Sequence, residues 1–120
     1  MNRGIITISE NGVVTMPTAP IWMSMQEIAD MLNVFGCYVR KAVKAIFKEG
    51  LLRDCDVRRH VKEGKGISYD VFNLELIIAV AFRIDSIESR AFHEFIMQAI
   101  IKKKTNRPKF VCLWTKSTMA

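Results

Sequence analysis

Ser24-Met25-Gln26-Glu27-Ile28-Ala29-Asp30-Met31-Leu32-Asn33-Val34-Phe35-Gly36-Cys37-Tyr38-Val39-Arg40-Lys41-Ala42-Val43-Lys44-Ala45-Ile46-Phe47-Lys48-Glu49-Gly50 decides the fold, because it holds two helical patterns separated by a single break. Ser24 and Glu27 stand at capping-box spacing: the serine oxygen can accept from the amide three residues on, and Glu27 can reach back to the Ser24 amide. Ile28, Ala29 and Leu32 continue that helix, and Asn33 interrupts it. A second pattern covers Cys37 to Glu49, and Gly50 supplies a left-handed residue to end it. At about 100° per residue, Val39, Ala42, Val43, Ile46 and Phe47 gather on one arc of this helix. Arg40, Lys41, Lys44 and Lys48 gather on another, with Cys37 among them. One face is built to bury and the other to present cations to solvent or to a polyanion.

The segments on either side extend this pattern. Residues 4–8 and 13–16 are β-branched runs around Asn11-Gly12, a favoured hairpin turn, and Pro17 and Pro20 end their register. After Gly50, residues 51–61 and 66–72 read as two strands joined by a tip at Lys62-Glu63-Gly64-Lys65-Gly66. This second hairpin carries Arg58, Arg59, His60, Lys62 and Lys65. Helix, turn, basic helix and basic hairpin, in that order, form the layout of a winged helix-turn-helix. Its second helix would enter a major groove while the hairpin reaches flanking phosphates. Asn73 caps a helix over residues 74–84 that is apolar on nearly every side. Ser86 caps another running to about Lys103, whose stripe of Ala91, Phe92, Phe95, Ile96, Ala99 and Ile100 suits a core or a dimer seam. The expected fold is therefore α+β: a winged helix-turn-helix with an N-terminal β-hairpin and two additional packed C-terminal helices. It spans residues 1–101, and residues 102–120 form a basic C-terminal tail.

Length and charge fit this organisation. The chain has 120 residues, one domain's worth, and is half hydrophobic and a quarter charged, as a chain with a packed core should be. The net charge of +6 is unevenly placed. Residues 37–70 hold nine bases against five acids, and residues 102–120 hold six bases and no acid. Residues 1–36 and 71–101 are each mildly acidic. The tail's apolar run from Phe110 to Trp114 is open to three readings: an added strand, a docking segment, or disorder. No apolar stretch approaches the roughly 20 residues of a membrane span, so no membrane partner is expected. The N-terminus lacks the apolar core of a secretory signal. Three cysteines, Cys37, Cys55 and Cys112, with no CxxC pair and only two histidines, predict reduced thiols in a cytoplasmic setting rather than disulfides or zinc.

The sequence holds no recognisable catalytic constellation. His93-Glu94 opens like HExxH, but Met97 stands where the second histidine belongs. No phosphate-binding glycine loop occurs, and neither His60 nor His93 has a sequence partner. Asp54 and Asp56 alternate with Cys55 in the manner of a protected edge strand. Arg83 reads as an ion-pair residue for Asp85 or Glu88. The expectation is a non-enzymatic protein with no metal and no cofactor.

Two motifs carry a resemblance. Residues 26–39 look like a bacterial helix-turn-helix, with small Ala29 letting the helices approach. Trp22-Met23-Ser24-Met25-Gln26-Glu27-Ile28-Ala29 resembles the "VWLTQxxIA" opening of the RhuM family of virulence-associated proteins. Val71-Phe72-Asn73-Leu74-Glu75-Leu76-Ile77-Ile78-Ala79-Val80-Ala81-Phe82-Arg83 resembles that family's "YYNLDAIIAVGYR". The similarity covers about residues 4–101. It implies a bacterial, phage- or island-borne DNA-binding protein associated with the nucleoid. Members usually continue further, so the resemblance implies a truncated or minimal member. Phage antirepressor-like proteins share related modules, which keeps a protein-interaction role as the alternative. Phe35-Gly36-Cys37 replaces the polar opening usual in such recognition helices, leaving Tyr38 and Arg40 nearest the base edges. The residues expected to meet duplex DNA are thus Tyr38, Arg40, Lys41, Lys44, Lys48, Arg58, Arg59, Lys62 and Lys65. A homodimer through the last helix would present two such sets to paired half-sites.

Overall fold

Ser24 and Glu27 form the expected reciprocal cap. In the computed structural model, which describes the backbone of residues 3–105 and side chains through residue 102, Ser24 Oγ accepts from the Glu27 amide at 3.3 Å. Glu27 Oε1 accepts from the Ser24 amide at 2.8 Å. Helix α1 (Met25–Leu32) starts there and ends at Asn33, whose φ of 55° lies in the left-handed region. The Asn33 amide closes back on the carbonyls of Ala29 and Asp30. Helix α2 (Gly36–Glu49) follows, and Gly50, at φ 75°, turns the chain out of it. Ile28, Ala29 and Leu32 from α1 meet Val39, Val43 and Ile46 from α2 in one buried cluster.

The chain before α1 forms strands β1 (Thr7–Ile8) and β2 (Val14–Thr15), which pair Thr7 with Thr15 and Ile8 with Val14. This hairpin is shorter than the β-branched runs suggested. Residues 4–6 leave it for other partners: the Gly4 amide donates to Pro20 O at 2.8 Å, and Gly4 bridges Ile21 in parallel. A Cβ at Gly4 would stand 2.5 Å from Ala19 O, so only glycine permits this approach.

Residues 51–61 do not form one strand. Asp54–Val57 is a short helix, α3, and the strand β3 (Arg58–Glu63) begins only after it. The alternating Asp54-Cys55-Asp56 pattern is therefore a helical turn, in which Asp54 and Asp56 pair with Arg58 and Arg53. Strand β4 (Ile67–Phe72) pairs antiparallel with β3 from Arg58–Phe72 to Glu63–Ile67. Lys65 and Gly66 at the tip hold φ of 69° and 79°. Met23 and Phe72 exchange backbone hydrogen bonds at 3.0 and 2.8 Å, tying this hairpin to the chain entering α1.

Asn73 Oδ1 accepts from the Leu76 amide at 3.2 Å and starts α4 (Leu74–Arg83). The last helix, α5 (Ile87–Thr105), begins after Ser86, whose Oγ accepts from the Ser89 amide and donates to Leu32 O at 2.8 Å. That bond locks the start of α5 to the end of α1. Leu76, Ile77 and Val80 of α4 and Phe92 of α5 complete the core. The expected α5 stripe divides along its length: Phe92 is buried and Phe95 and Ile96 are half-buried, whereas Ala99 and Ile100 are exposed. The described residues are thus α+β, with five helices and two small antiparallel hairpins. None of their helices is long and apolar enough to cross a membrane. The Phe110–Trp114 run and most of the basic tail lie outside the described residues.

Candidate nucleic-acid interface

Helix α2 turns its apolar arc inward so completely that its basic arc must face solvent. Val39, Val43 and Ile46 are 0–1 % exposed, and on a helical wheel Arg40, Lys44, Cys37, Lys48 and Lys41 then share an outward sector of about 100°. All five are exposed. Tyr38 lies at the edge of this sector toward α4, where it and Lys41 line a groove with Ala45, Arg83 and Ile84. Phe35, the N-cap of α2, makes no side-chain cap hydrogen bond, and the first turn contains no acid.

The hairpin cations do not form a single group. Side chains two apart on a strand share a face, so Arg58, His60 and Lys62 point to one side of β3 and Arg59 to the other. Arg58 is half-buried and held in place by its neighbours. Its guanidinium lies over the rings of Phe47 and Phe72, 5.6 and 5.3 Å from their centroids. Its Nε stands 3.2 Å from Asp54 Oδ1, and its Nη1 is 3.5 Å from Asp70 Oδ2. The buried Nε lacks the alignment of a hydrogen bond, so its attraction to Asp54 is coulombic. The residue joins the base of the hairpin to the flank of α2. Arg59 stacks over Trp22 at 4.4 Å. Lys62 is exposed on the Arg58 face, and Lys65 occupies the tip.

Pairing divides the positive charge of the described residues into two groups. Arg3 pairs with Glu27, Arg53 with Asp56, Arg58 with Asp54 and Asp70, Arg83 with Glu49, and Arg90 with Asp85. Arg83 therefore reaches back across to α2 instead of to Asp85 or Glu88, because α4 packs beside α2. Arg40, Lys41, Lys44, Lys48, Arg59, Lys62 and Lys65 form no ion pair among the described residues. The arginines that tie elements together are neutralised, and the cations on α2, at the hairpin tip and at Arg59 are not.

Two features of this region were not read from the sequence. His60 Nδ1 lies 2.8 Å from Asp70 Oδ1. The signal was available, since centring the hairpin on Lys65 sets His60 opposite Asp70. Phe35 is 76 % exposed and stacks with Tyr38, which is 53 % exposed, at a centroid distance of 6.4 Å. His93, by contrast, has a structural role: its Nε2 is 2.6 Å from Ala81 O, and its ring stacks on Phe82. At the start of α1, burial opposes ionisation of Glu27, but hydrogen bonds from Arg3 and the Ser24 amide hold its carboxyl below the ordinary carboxylate range. The Tyr69 hydroxyl donates to Glu63 at 2.8 Å, and this bond raises its pKa.

Among the described residues, no cluster of three or more histidine, cysteine or acidic side chains is arranged to hold a metal ion. No family model, curated protein or solved structure matches the chain.

Proposed function

We propose that the protein is a non-enzymatic duplex-DNA-binding protein of winged helix-turn-helix form and RhuM-like ancestry. In this reading α1, the turn at Asn33 and α2 are the helix-turn-helix, with β3–β4 as the wing. Lys41, Lys44, Lys48, Lys62 and Lys65 hold phosphates, while Tyr38 and Arg40 lie toward the bases. Arg59 contributes from the face of the wing opposite Arg58, and Arg58 positions the wing against α2. A cytoplasmic, nucleoid-associated location follows from this activity.

The observation that carries the reading is the division of charge. A solvated structural surface gains little from leaving four cations unpaired along one helix face and more on the neighbouring hairpin, whereas a polyanion site requires it. Six phosphate contacts give a log–log salt slope of about −5. Fluorescence titration of a labelled duplex across a salt series tests this, and absence of duplex binding at low salt would overturn it.

A second reading, a protein-interaction module of the phage antirepressor type, is favoured by apolar groups away from α2. Phe82 on α4 and Met97, Ile100 and Ile101 on α5 are exposed. Binding to a protein partner that is insensitive to salt, without duplex affinity, distinguishes this reading from the first. A homodimer through α5 would cover the same groups, and sedimentation of the full chain tests for it.

A further inference from the structure

Phe35 breaks two local rules at once. An N-cap position at φ −71° and ψ 147° suits serine, threonine or aspartate, whose oxygen would satisfy an orphan amide, yet an aromatic residue without a cap bond occupies it. A phenylalanine with a free choice of surroundings buries its ring, yet this one is 76 % exposed. Among the described residues its one stacked aromatic neighbour is Tyr38, one turn into α2, at an interplanar angle of 30°. A local sequence choice that costs stability twice is the kind that function retains.

What surrounds the ring identifies its occupant. Arg40, Lys41 and Lys44 lie within the next turns of the same helix, and the first turn carries no acid. An exposed ring at the start of a helix whose outward face carries unpaired cations is complementary to a surface with apolar groups set between phosphates. The major groove of duplex DNA has this composition, since each thymine presents a C5 methyl there. The N-terminal residues of a groove-entering helix are the ones that reach base edges.

We propose that Phe35, braced by Tyr38, is the base-reading element of this protein and packs against thymine methyl groups in the major groove. The inference rests on the duplex-binding reading above and adds to it a source of sequence preference. The lysines supply affinity for any sequence; the aromatic knob selects thymine-bearing steps.

The test uses two duplexes that differ only in the methyl group: an alternating A·T duplex and the same duplex with uracil in place of thymine. Anisotropy titrations compare the full chain with Phe35→Ala and Lys41→Ala, with thermal melting as a check that each variant is folded. The unmodified protein should bind the uracil duplex about fourfold more weakly for each methyl group it buries. Phe35→Ala should bind both duplexes equally, with an unchanged salt slope. Lys41→Ala should weaken both to the same degree and reduce the slope by about 1. Equal binding of both duplexes by the unmodified protein, or a thymine preference that survives Phe35→Ala, overturns the inference while leaving duplex binding intact. If the unmodified protein binds neither duplex, the proposed function fails, and this inference with it.

Discussion

The two helices of the central pair begin in opposite ways. Helix α1 starts with a serine whose oxygen and amide are both satisfied, a glutamate in its first turn, and Arg3 clamped onto that glutamate at 2.6 Å. Helix α2 starts with an exposed phenylalanine, no cap bond and no acid. Both helices bury equivalent apolar faces against each other, so the contrast is not one between core and periphery. It separates a helix start that holds the fold together from one that leaves its amides and its cations available.

This comparison can be broken first in the shared core. Leu32→Ala, at a fully buried position on the α1 side, should cost about 2–5 kcal/mol in urea unfolding and remove both helix starts together. At the starts themselves the signs should differ. Ser24→Ala should destabilise by about 1 kcal/mol through loss of the cap. Phe35→Ser should stabilise by up to about 1 kcal/mol, because it installs the cap that α2 lacks. A destabilised Phe35→Ser protein would show that the ring supports the fold after all. Chemical denaturation of the two variants under identical conditions gives the answer.

The smallest effect is expected with pH. The folded-state pKa of Glu27 is depressed below its ordinary value of 4.5. Its contribution is therefore present in full above that value and lost as pH falls below it. The stability gap between the unmodified protein and Glu27→Gln should be largest near neutrality and shrink in acid. A gap independent of pH would mean that the Arg3–Glu27 pair contributes nothing through its charge.

How much of this was legible depended on distance along the chain. The caps at Ser24, Asn73 and Ser86, the left-handed Gly50 and the two-faced pattern of α2 are set by residues within one helical turn, and each is present as read. The α3 turn was missed because four residues hold no helical period, and alternating acids look the same on a strand. The first hairpin was overestimated because β-branched runs give strand propensity but not pairing partners, and Gly4 pairs elsewhere. Arg83–Glu49 and Arg58–Asp70 join residues far apart in sequence, so only the packing of α4 on α2 and the register of β3 on β4 bring them together. The cationic face of α2 was legible in outline, but which cations are already neutralised was not. That division removes Arg58 from the free set and brings the exposed ring of Phe35 into view.

The central claim is that the unpaired cations of α2 contact phosphates, and the salt dependence of duplex binding measures this most directly. The unmodified protein should show a log–log slope of about −5, and the triple variant Arg40→Ala, Lys41→Ala, Lys44→Ala, which loses the two phosphate contacts of Lys41 and Lys44 together with Arg40, a slope of about −4 with much weaker binding at every salt concentration. The same affinity and slope for both proteins would contradict the account.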